Sequence, residues 1–180
     1  INRWDERSYV KGCFHQFSFF PWNQDLFDFF KTFREIFILR NLLSGAEQDA
    51  YLGPAPYDDC IARVSFQFYP KACGSMHEHR DPVGAHQEVV PILVMSKPGI
   101  DFQTGGVYVR NEQNQIIWVE TLANPGDVVM FNPQMRHGVA LIDEGKTEDW
   151  LSFEGRWMSI FAVNKLATNT RVAEAVDLGG

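Results

Sequence analysis

Short strand patterns dominate this sequence, and turn residues separate each pattern from the next. Residues 61–69 alternate between two faces, which is the period of a β-strand. One face carries Arg63, Ser65, Gln67 and Tyr69, and the other carries Val64, Phe66 and Phe68. Pairs of Pro, Gly and Asn bound the later patterns, as expected of tight turns. The predicted strands are 13–20, 61–69, 88–95, 106–110, 115–120, 127–131, 137–142 and 156–164.

One helical pattern precedes the main run of strands. Apolar residues recur at three- and four-residue spacing from Leu26 to Leu43, and charged residues fill the gaps. Asn23 is the predicted N-cap, with Asp25 in the first turn of the helix. The apolar stripe, which includes Leu39 and Leu43, is predicted to pack on a sheet.

Many short strands after one helix, with no helices alternating between them, favour a mainly β fold with an N-terminal helix. The predicted architecture is a double-stranded β-helix, or jelly roll, with a supporting helix. Residues 1–180 are predicted to form a single domain. Within it, 1–59 provide a strand and helix support, and 60–165 form the jelly-roll core.

Composition and charge exclude several classes of protein. Sixteen basic and 23 acidic residues give a formal net charge of −7. No basic cluster offsets that charge, which argues against a nucleic-acid binder. The three cysteines, Cys13, Cys60 and Cys73, are too few for a disulfide framework, so we predict a reducing, cytoplasmic location. No apolar run approaches the roughly 20 residues that a membrane-spanning helix needs.

The histidines are unevenly distributed, since His77, His79 and His86 lie close together in the chain. His79 and Asp81 are two positions apart, so their side chains share one face of an extended segment. A third ligand would come from a distant strand, and His137 is the only histidine after His86. Two imidazoles and one carboxylate form the facial triad of non-heme Fe(II) oxygenases, which keeps coordination positions open for a cosubstrate and dioxygen.

Four sequence elements, in the right order, resemble those of the 2-oxoglutarate/Fe(II)-dependent oxygenases, in particular the prolyl-hydroxylase-like branch. The resemblance covers residues 60–165. Its elements are Tyr69-Pro70 followed by His79-x-Asp81, Asp101-Phe102-x-x-Gly105-Gly106, Pro125-Gly126-Asp127 with Phe131 and then His137, and Arg156 at the start of the last strand.

The resemblance implies an eight-stranded jelly-roll enzyme, an Fe(II)- and 2-oxoglutarate-dependent dioxygenase. His79, Asp81 and His137 would bind the iron, and 2-oxoglutarate would chelate it through its 1-carboxylate and 2-oxo group. Arg156 would pair with the 5-carboxylate, because a guanidinium fork matches a carboxylate, and Tyr69 would donate a hydrogen bond to the cosubstrate. The reaction would consume O2, release succinate and CO2 and hydroxylate an unactivated C–H bond, with ascorbate as a stimulating reductant.

The partner of the 5-carboxylate has a rival candidate. The gap between His137 and Arg156 is longer than is usual in the family, and the polar insert between them contains Lys146. Lys146 would take the role if the insert did not form a hairpin loop. We favour Arg156, because it begins an apolar strand whereas Lys146 lies among turn residues.

The residues around the motif permit a second kind of metal site. His77-x-His79 resembles the start of a cupin site, and with His137 it would make a metal-dependent isomerase or a dioxygenase without 2-oxoglutarate. The positions where a cupin places its glutamate hold Val83 and Gly84, which disfavours this reading. His77 and His86 are therefore predicted to flank the site, where either could touch substrate. Glu78 and Arg80 are predicted to face solvent.

The predicted substrate is a small molecule, either an amino acid or a biosynthetic intermediate. A peptide side chain, as in prolyl hydroxylation, is the second prediction. Nucleic acid is not predicted, because the demethylase branch repeats an arginine six residues after the first and this chain has Ala162 there. No membrane partner is predicted.

Overall fold

Two antiparallel β-sheets face each other in this computed structural model, which describes residues 10–22, 25–84, 86–149, 151–166 and 176–177. Two short helices precede most of the strands, α1 (Phe29–Thr32) and α2 (Arg34–Leu43). The described strands are β1 (Gly12–Cys13), β2 (His15–Phe19), β3 (Cys60–Pro70), β4 (Ser75–Arg80), β5 (Val90–Val94), β6 (Gly106–Arg110), β7 (Ile116–Trp118), β8 (Val128–Phe131), β9 (His137–Ala140), β10 (Gly155–Lys165) and β11 (Val176–Asp177).

Each sheet is assembled from strands that are distant in the chain. One sheet has the order β1-β4-β9-β6-β7, with β11 also paired to β4, and the other has the order β2-β3-β10-β5-β8. Every pairing is antiparallel. This is the arrangement of a double-stranded β-helix, so the predicted fold class is confirmed.

The chain passes from one sheet to the other at Phe14. The predicted strand 13–20 is in fact two strands, β1 in the first sheet and β2 in the second. Phe14 lies between them, is buried, and stacks on Tyr69 with ring centroids 5.1 Å apart. A continuous apolar run conceals such a crossing, because every residue of the run has an apolar face to pack against.

Two strands were missed at the sequence level, β4 and β11. The segment of β4 reads Ser-Met-His-Glu-His-Arg, which has no alternating apolar pattern. In the sheet, however, β4 lies between β1 and β9. Strand β11 pairs Val176 with Arg80 and Asp177 with His79. Strand β4, which carries the candidate ligand His79, is therefore an interior strand of its sheet.

The helix begins later than predicted and is divided in two. The Asp25 carboxylate accepts hydrogen bonds from the backbone N–H groups of Phe29 at 2.8 Å and Phe30 at 3.0 Å, so Asp25 satisfies the first turn. The predicted N-cap, Asn23, lies outside the described residues. Phe33 separates α1 from α2 with a non-helical backbone.

Helix α2 packs on the sheet through a stripe that is only partly apolar. Phe37 is fully buried, but the stripe continues through Arg40 and Asn41, which are also buried. The prediction that Leu39 and Leu43 belong to this face is wrong, since they are 48% and 54% exposed. Polar residues occupy these buried positions because backbone carbonyls of the adjacent loop need hydrogen-bond donors there. Asn41 Nδ2, for example, donates to the backbone carbonyls of Gln48 and Ala50.

Two apolar clusters stabilise the fold. One fills the space between the sheets and includes Phe14, Tyr69, Phe131 and Met158. The other joins the outer face of the second sheet to α2 through residues such as Phe37 and Phe161. The alternation of β3 explains both, because its odd-numbered side chains face the interior between the sheets and its even-numbered ones face the helix.

Two further predictions can be compared with the described chain. Cys13, Cys60 and Cys73 are buried, and no disulfide bond joins any of them, as expected without a disulfide framework. Among the described residues, no helix has the length and apolar character required to cross a bilayer.

Candidate metal centre

The two candidate histidine ligands are direct neighbours on adjacent strands. His79 on β4 pairs with His137 on β9 in the register of the first sheet, and their ring centroids are 4.2 Å apart. Both side chains are buried and face the interior between the sheets. Residues 58 positions apart in sequence are thus brought together by strand pairing, as the sequence analysis predicted.

A β-bulge decides which side chains of β4 face the interior. The register of β4 against β9 shifts between Met76 and His79. Both of these residues line the interior cavity although they are three positions apart, which a regular strand would not allow. His77 is not among the described residues that line the cavity. The cupin-like interpretation requires the side chains of both His77 and His79 at the metal. The bulge therefore disfavours that interpretation.

Backbone carbonyls orient both imidazole rings. His79 Nδ1 lies 2.8 Å from the carbonyl oxygen of His77, and His137 Nδ1 lies 2.8 Å from that of Met135. A carbonyl can only accept, so Nδ1 carries the proton and donates in each ring. The Nε2 atoms are then left with their lone pairs, as metal ligands require.

The Asp81 carboxylate lies opposite both Nε2 atoms. Its Oδ1 is 3.6 Å from His79 Nε2, and its Oδ2 is 3.4 Å from His137 Nε2. Two atoms that both bind one ion at about 2.1 Å can be up to roughly 4.2 Å apart, so both of these distances are compatible with a shared ion. In the described part of the chain, His79, Asp81 and His137 are the only group of three or more such side chains whose ligand atoms lie within 4.8 Å of one another.

Charges around Asp81 keep it ionised. Burial raises its pKa, but a hydrogen bond from His137 and the attraction of His137 and His79, both present when the rings are protonated, act with the attraction of Arg63 and more than offset burial, so the pKa of Asp81 lies below its ordinary value. A bound metal ion would take the place of those ring protons at Nε2. An anionic oxygen donor beside two neutral imidazoles is suited to a divalent transition metal such as iron.

The segment after β4 is held by contacts at both of its ends. Asp81 N donates to the carbonyl of Pro133 at 2.9 Å, and Gln134 Nε2 donates to the Asp81 carbonyl at 2.6 Å. Further along, the buried Arg40 of α2 donates to the carbonyl of His86. Arg40 was not singled out from the sequence, where it interrupts an apolar stripe. That interruption was the available signal.

Tyr69 and Arg156 lie side by side where β3 ends and β10 begins. Residues 60–63 are at the other end of this strand pair. They are paired in the antiparallel register, and the Arg156 guanidinium carbon is 5.9 Å from the centroid of the Tyr69 ring. Tyr69 lines the cavity, and its hydroxyl donates to Gln67 Oε1 at 2.8 Å. Burial, the largest influence, raises the pKa of Tyr69, so it stays a neutral hydrogen-bond donor.

Glu120 is a functional neighbour that the sequence analysis missed. Its carboxylate forms a buried ion pair with Arg156 Nε and also accepts from the backbone N–H of Val107 at 3.2 Å. Arg156 Nη1 and Nη2 are buried and have no hydrogen-bond partner among the described residues. Arg156 is not itself one of the described residues that line the cavity. The rival, Lys146, is exposed in the turn that follows Asp143.

The prediction that Glu78 faces solvent is wrong. Glu78 is only 8% exposed, because Arg110 on β6 and Arg136 before β9 both form ion pairs with it. These pairs connect three neighbouring strands on the side of the sheet away from the cavity. Arg80 is exposed, as predicted.

A cavity of about 410 Å³ contains the candidate ligands. His79, Asp81 and His137 lie in its wall together with Tyr69 and the flanking His86. The volume is within the range of sites for small molecules.

Fold comparisons agree with the architecture. AviO1 from Streptomyces viridochromogenes Tue57 superposes with a TM-score of 0.50 at 13% identity, over 88% of this chain and 67% of the other. A cupin-like protein from Thermotoga maritima gives a TM-score of 0.31 at 14% identity, over 63% of this chain and 70% of the other, which is too weak a likeness to support a conclusion. No protein-family model matches the sequence, and no curated protein matches it significantly.

Fold and site together define a class: a jelly-roll protein with a candidate His-Asp-His metal centre between its sheets. The donors fit a divalent metal ion, because both imidazoles present an unprotonated Nε2 and the carboxylate is ionised.

Proposed function

We propose that the protein is an Fe(II)- and 2-oxoglutarate-dependent dioxygenase that hydroxylates an unactivated C–H bond of a small molecule. The observation that carries the proposal is the convergence of His79 Nε2, His137 Nε2 and Asp81 on one point of the cavity wall. Three protein ligands on one side of an ion leave the other side open to ligands from the cavity.

The protein residues have positioning roles in this proposal. When bound, the iron would supply the oxidative chemistry, with 2-oxoglutarate as the source of electrons and succinate and CO2 as products. The carbonyls of His77 and Met135 hold the rings in place, and the contacts of Asp81 with Pro133 and Gln134 hold the carboxylate. The apolar wall, including Phe131 at 5.0 Å from the His137 ring, excludes water from the open side.

Arg156 lies next to the ring of Tyr69, which lines the cavity, and offers donors for the cosubstrate. Arg156 Nη1 and Nη2 have no acceptor among the described residues, although both are buried. A buried guanidinium with unused N–H groups is costly unless a ligand completes it. The 5-carboxylate of 2-oxoglutarate would supply acceptors there, beside the Tyr69 hydroxyl.

The cavity supports a small substrate more than a peptide. Its volume of about 410 Å³ suits a cosubstrate with a compact partner.

The test is cosubstrate binding and turnover. The anaerobic Fe(II) protein should bind 2-oxoglutarate by isothermal titration calorimetry, with a visible charge-transfer band as a second signal. On admission of O2, with ascorbate and a panel of amino acids, it should release succinate. Absence of both binding and succinate would contradict the proposal.

Two variants separate the candidate partners of the 5-carboxylate. Arg156→Gln should weaken 2-oxoglutarate binding about 10- to 100-fold, the loss expected for charge-assisted hydrogen bonds. The matched control, Lys146→Gln, removes an exposed cation of the same charge and should leave the affinity unchanged. The reverse result would assign the role to Lys146.

A further inference from the structure

Three polar side chains at the other end of the cavity have unused hydrogen-bonding atoms. Arg63 Nε, Gln87 Oε1 and Asn164 Oδ1 are buried and have no hydrogen-bond partner among residues that the structure describes. All three residues line the cavity that contains the candidate metal ligands. Buried polar atoms are nearly always paired in native proteins, so a cluster of unused ones in a cavity indicates a polar ligand.

Strand register places Arg63 and Asn164 side by side. Arg63 on β3 pairs with Ala162 on β10, and Asn164 is the next residue on the same face of β10. Diagonal neighbours of this kind are within reach of long side chains. Arg63 is six residues from Tyr69 along β3, which is about 20 Å at 3.3 Å per residue. The two ends of the cavity therefore have separate polar groups.

The candidate metal ligands line the same cavity as Tyr69 and Arg63. The Asp81 charge acts on both, because it raises the pKa of Tyr69 at one end and that of Arg63 at the other, although burial is the larger influence and leaves the pKa of Arg63 lowered overall. A ligand held at Arg63 would therefore share the cavity with the metal and be separated from Tyr69 by the length of β3 between them.

The charges at the Arg63 end of the cavity favour binding of an anion. Asp81 is the only acidic residue among the described residues of the cavity wall, whereas Arg63 and Lys165 are both basic. A bound metal would take the Asp81 carboxylate as its ligand. Arg63 would then lack a counter-charge, unlike Arg156, which has Glu120. The cavity would then carry a local positive charge in a protein of net charge −7.

We propose, on the basis of the proposed function, that Arg63 binds the carboxylate of a small amino or hydroxy acid, the substrate. Asn164 and Gln87 accept hydrogen bonds from its amine or hydroxyl group through Oδ1 and Oε1. The remainder of the molecule extends towards the metal, and the cosubstrate occupies the Tyr69 end.

Binding can be measured without turnover. The protein is loaded with Zn(II), a redox-inactive and diamagnetic ion, and with 2-oxoglutarate, and is screened by saturation-transfer NMR. The probes are L-amino acids and 2-hydroxy acids, each with its methyl ester. Free acids should bind and their esters should not. The inference is overturned if no acid binds, or if acids and esters bind equally.

Variants of Arg63 test the contact itself. Arg63→Gln should weaken binding of the acids about 10- to 100-fold, and Arg63→Lys should retain part of the affinity because it keeps the charge. Lys146→Gln, the matched control, should have no effect. Near-ultraviolet circular dichroism verifies that each variant is folded. If Arg63→Gln does not fold, Arg63→Lys still tests the contact. Unchanged acid affinity in Arg63→Gln would overturn the inference.

Variants of Asn164 test the second contact. Asn164→Leu should reduce the preference for an amino acid over the carboxylic acid that lacks its amine, while the affinity for the latter changes little. A preference equal to that of the unmodified protein would remove Asn164 from the site.

Parallel titration with 2-oxoglutarate distinguishes the two proposals. Arg63→Gln should leave its affinity unchanged, and an equal loss for acid and cosubstrate would overturn the inference by assigning Arg63 to the cosubstrate. If acids bind through Arg63 but 2-oxoglutarate does not bind at all, the anion site is supported and the proposed function fails.

Discussion

Arg156 and Arg63 face the same interior from neighbouring strands, yet their electrostatic environments differ. Arg156 is 1% exposed and has a carboxylate from the protein itself, that of Glu120 in the 3₁₀ turn that follows β7. Arg63 is near the carboxylate of Asp81, which also lies beside two imidazoles. The charge of Arg156 is paired with the Glu120 carboxylate. The charge of Arg63 is balanced by Asp81 only as long as Asp81 does not bind a metal ion.

The difference distinguishes a guanidinium whose charge is paired within the protein from one whose charge would need a ligand once Asp81 binds a metal. Burial of an ion pair costs desolvation, and the pair stabilises a protein only when its geometry and further hydrogen bonds offset that cost. Glu120 meets this condition in part through Val107. Arg156 Nη1 and Nη2, like the unused atoms of Arg63, Gln87 and Asn164, have no partner in the described chain, as expected of groups that meet a ligand.

The largest effect is expected from Asp81, the carboxylate near Arg63. Asp81→Ala should abolish tight binding of Fe(II) and turnover, because loss of a ligand costs more than the 10- to 100-fold typical of its supporting contacts. Calorimetric titration with Fe(II) under anaerobic conditions measures the affinity. Retained turnover in this variant would remove Asp81 from the metal site.

Disruption of the Arg156 pair should instead reduce stability. Glu120→Gln leaves the Arg156 charge buried without its partner, so the free energy of unfolding should fall by about 3–5 kcal/mol in urea titrations. Replacement of both residues, by Glu120→Leu with Arg156→Met, should recover much of the loss. The control is Glu154→Gln, which breaks the exposed pair with Lys71 and should cost about 0–1 kcal/mol. A loss below 1 kcal/mol for Glu120→Gln would mean that Arg156 does not depend on Glu120.

A third buried arginine provides a structural reference for this comparison. Arg40 donates to Asn41 Oδ1 at 2.8 Å and to the carbonyl of His86, and burial lowers its pKa to about 10. Arg40→Met should cost about 1–3 kcal/mol, because the His86 carbonyl loses a charged donor. Amide hydrogen exchange should accelerate in the segment after Asp81. The exposed Arg34, paired with Asp49, is the control, and Arg34→Met should change neither quantity appreciably.

The sequence predicted the fold and the meeting of the candidate ligands, but not the polar contacts of the interior. Strand period and turn residues are local properties, and motif order places His79, Asp81 and His137 without any knowledge of packing. Glu120 and Arg156 are 36 positions apart, and only the pairing of strands into two sheets brings them together. Arg63 did have a signal, since the alternation of β3 placed it on the same face as Tyr69.

The smallest effect is expected from His77, and this variant tests the direction in which β4 presents its side chains. The backbone carbonyl of His77 accepts the hydrogen bond from His79 Nδ1, and an alanine keeps that carbonyl. His77→Ala should therefore lower the affinity for Fe(II) by less than the roughly 10-fold that loss of a supporting contact causes. Calorimetric titration beside Asp81→Ala measures the ratio. An equal loss in both variants would place His77 among the ligands and favour a cupin-type centre, because the bulge between Met76 and His79 would then have to rearrange when the metal binds.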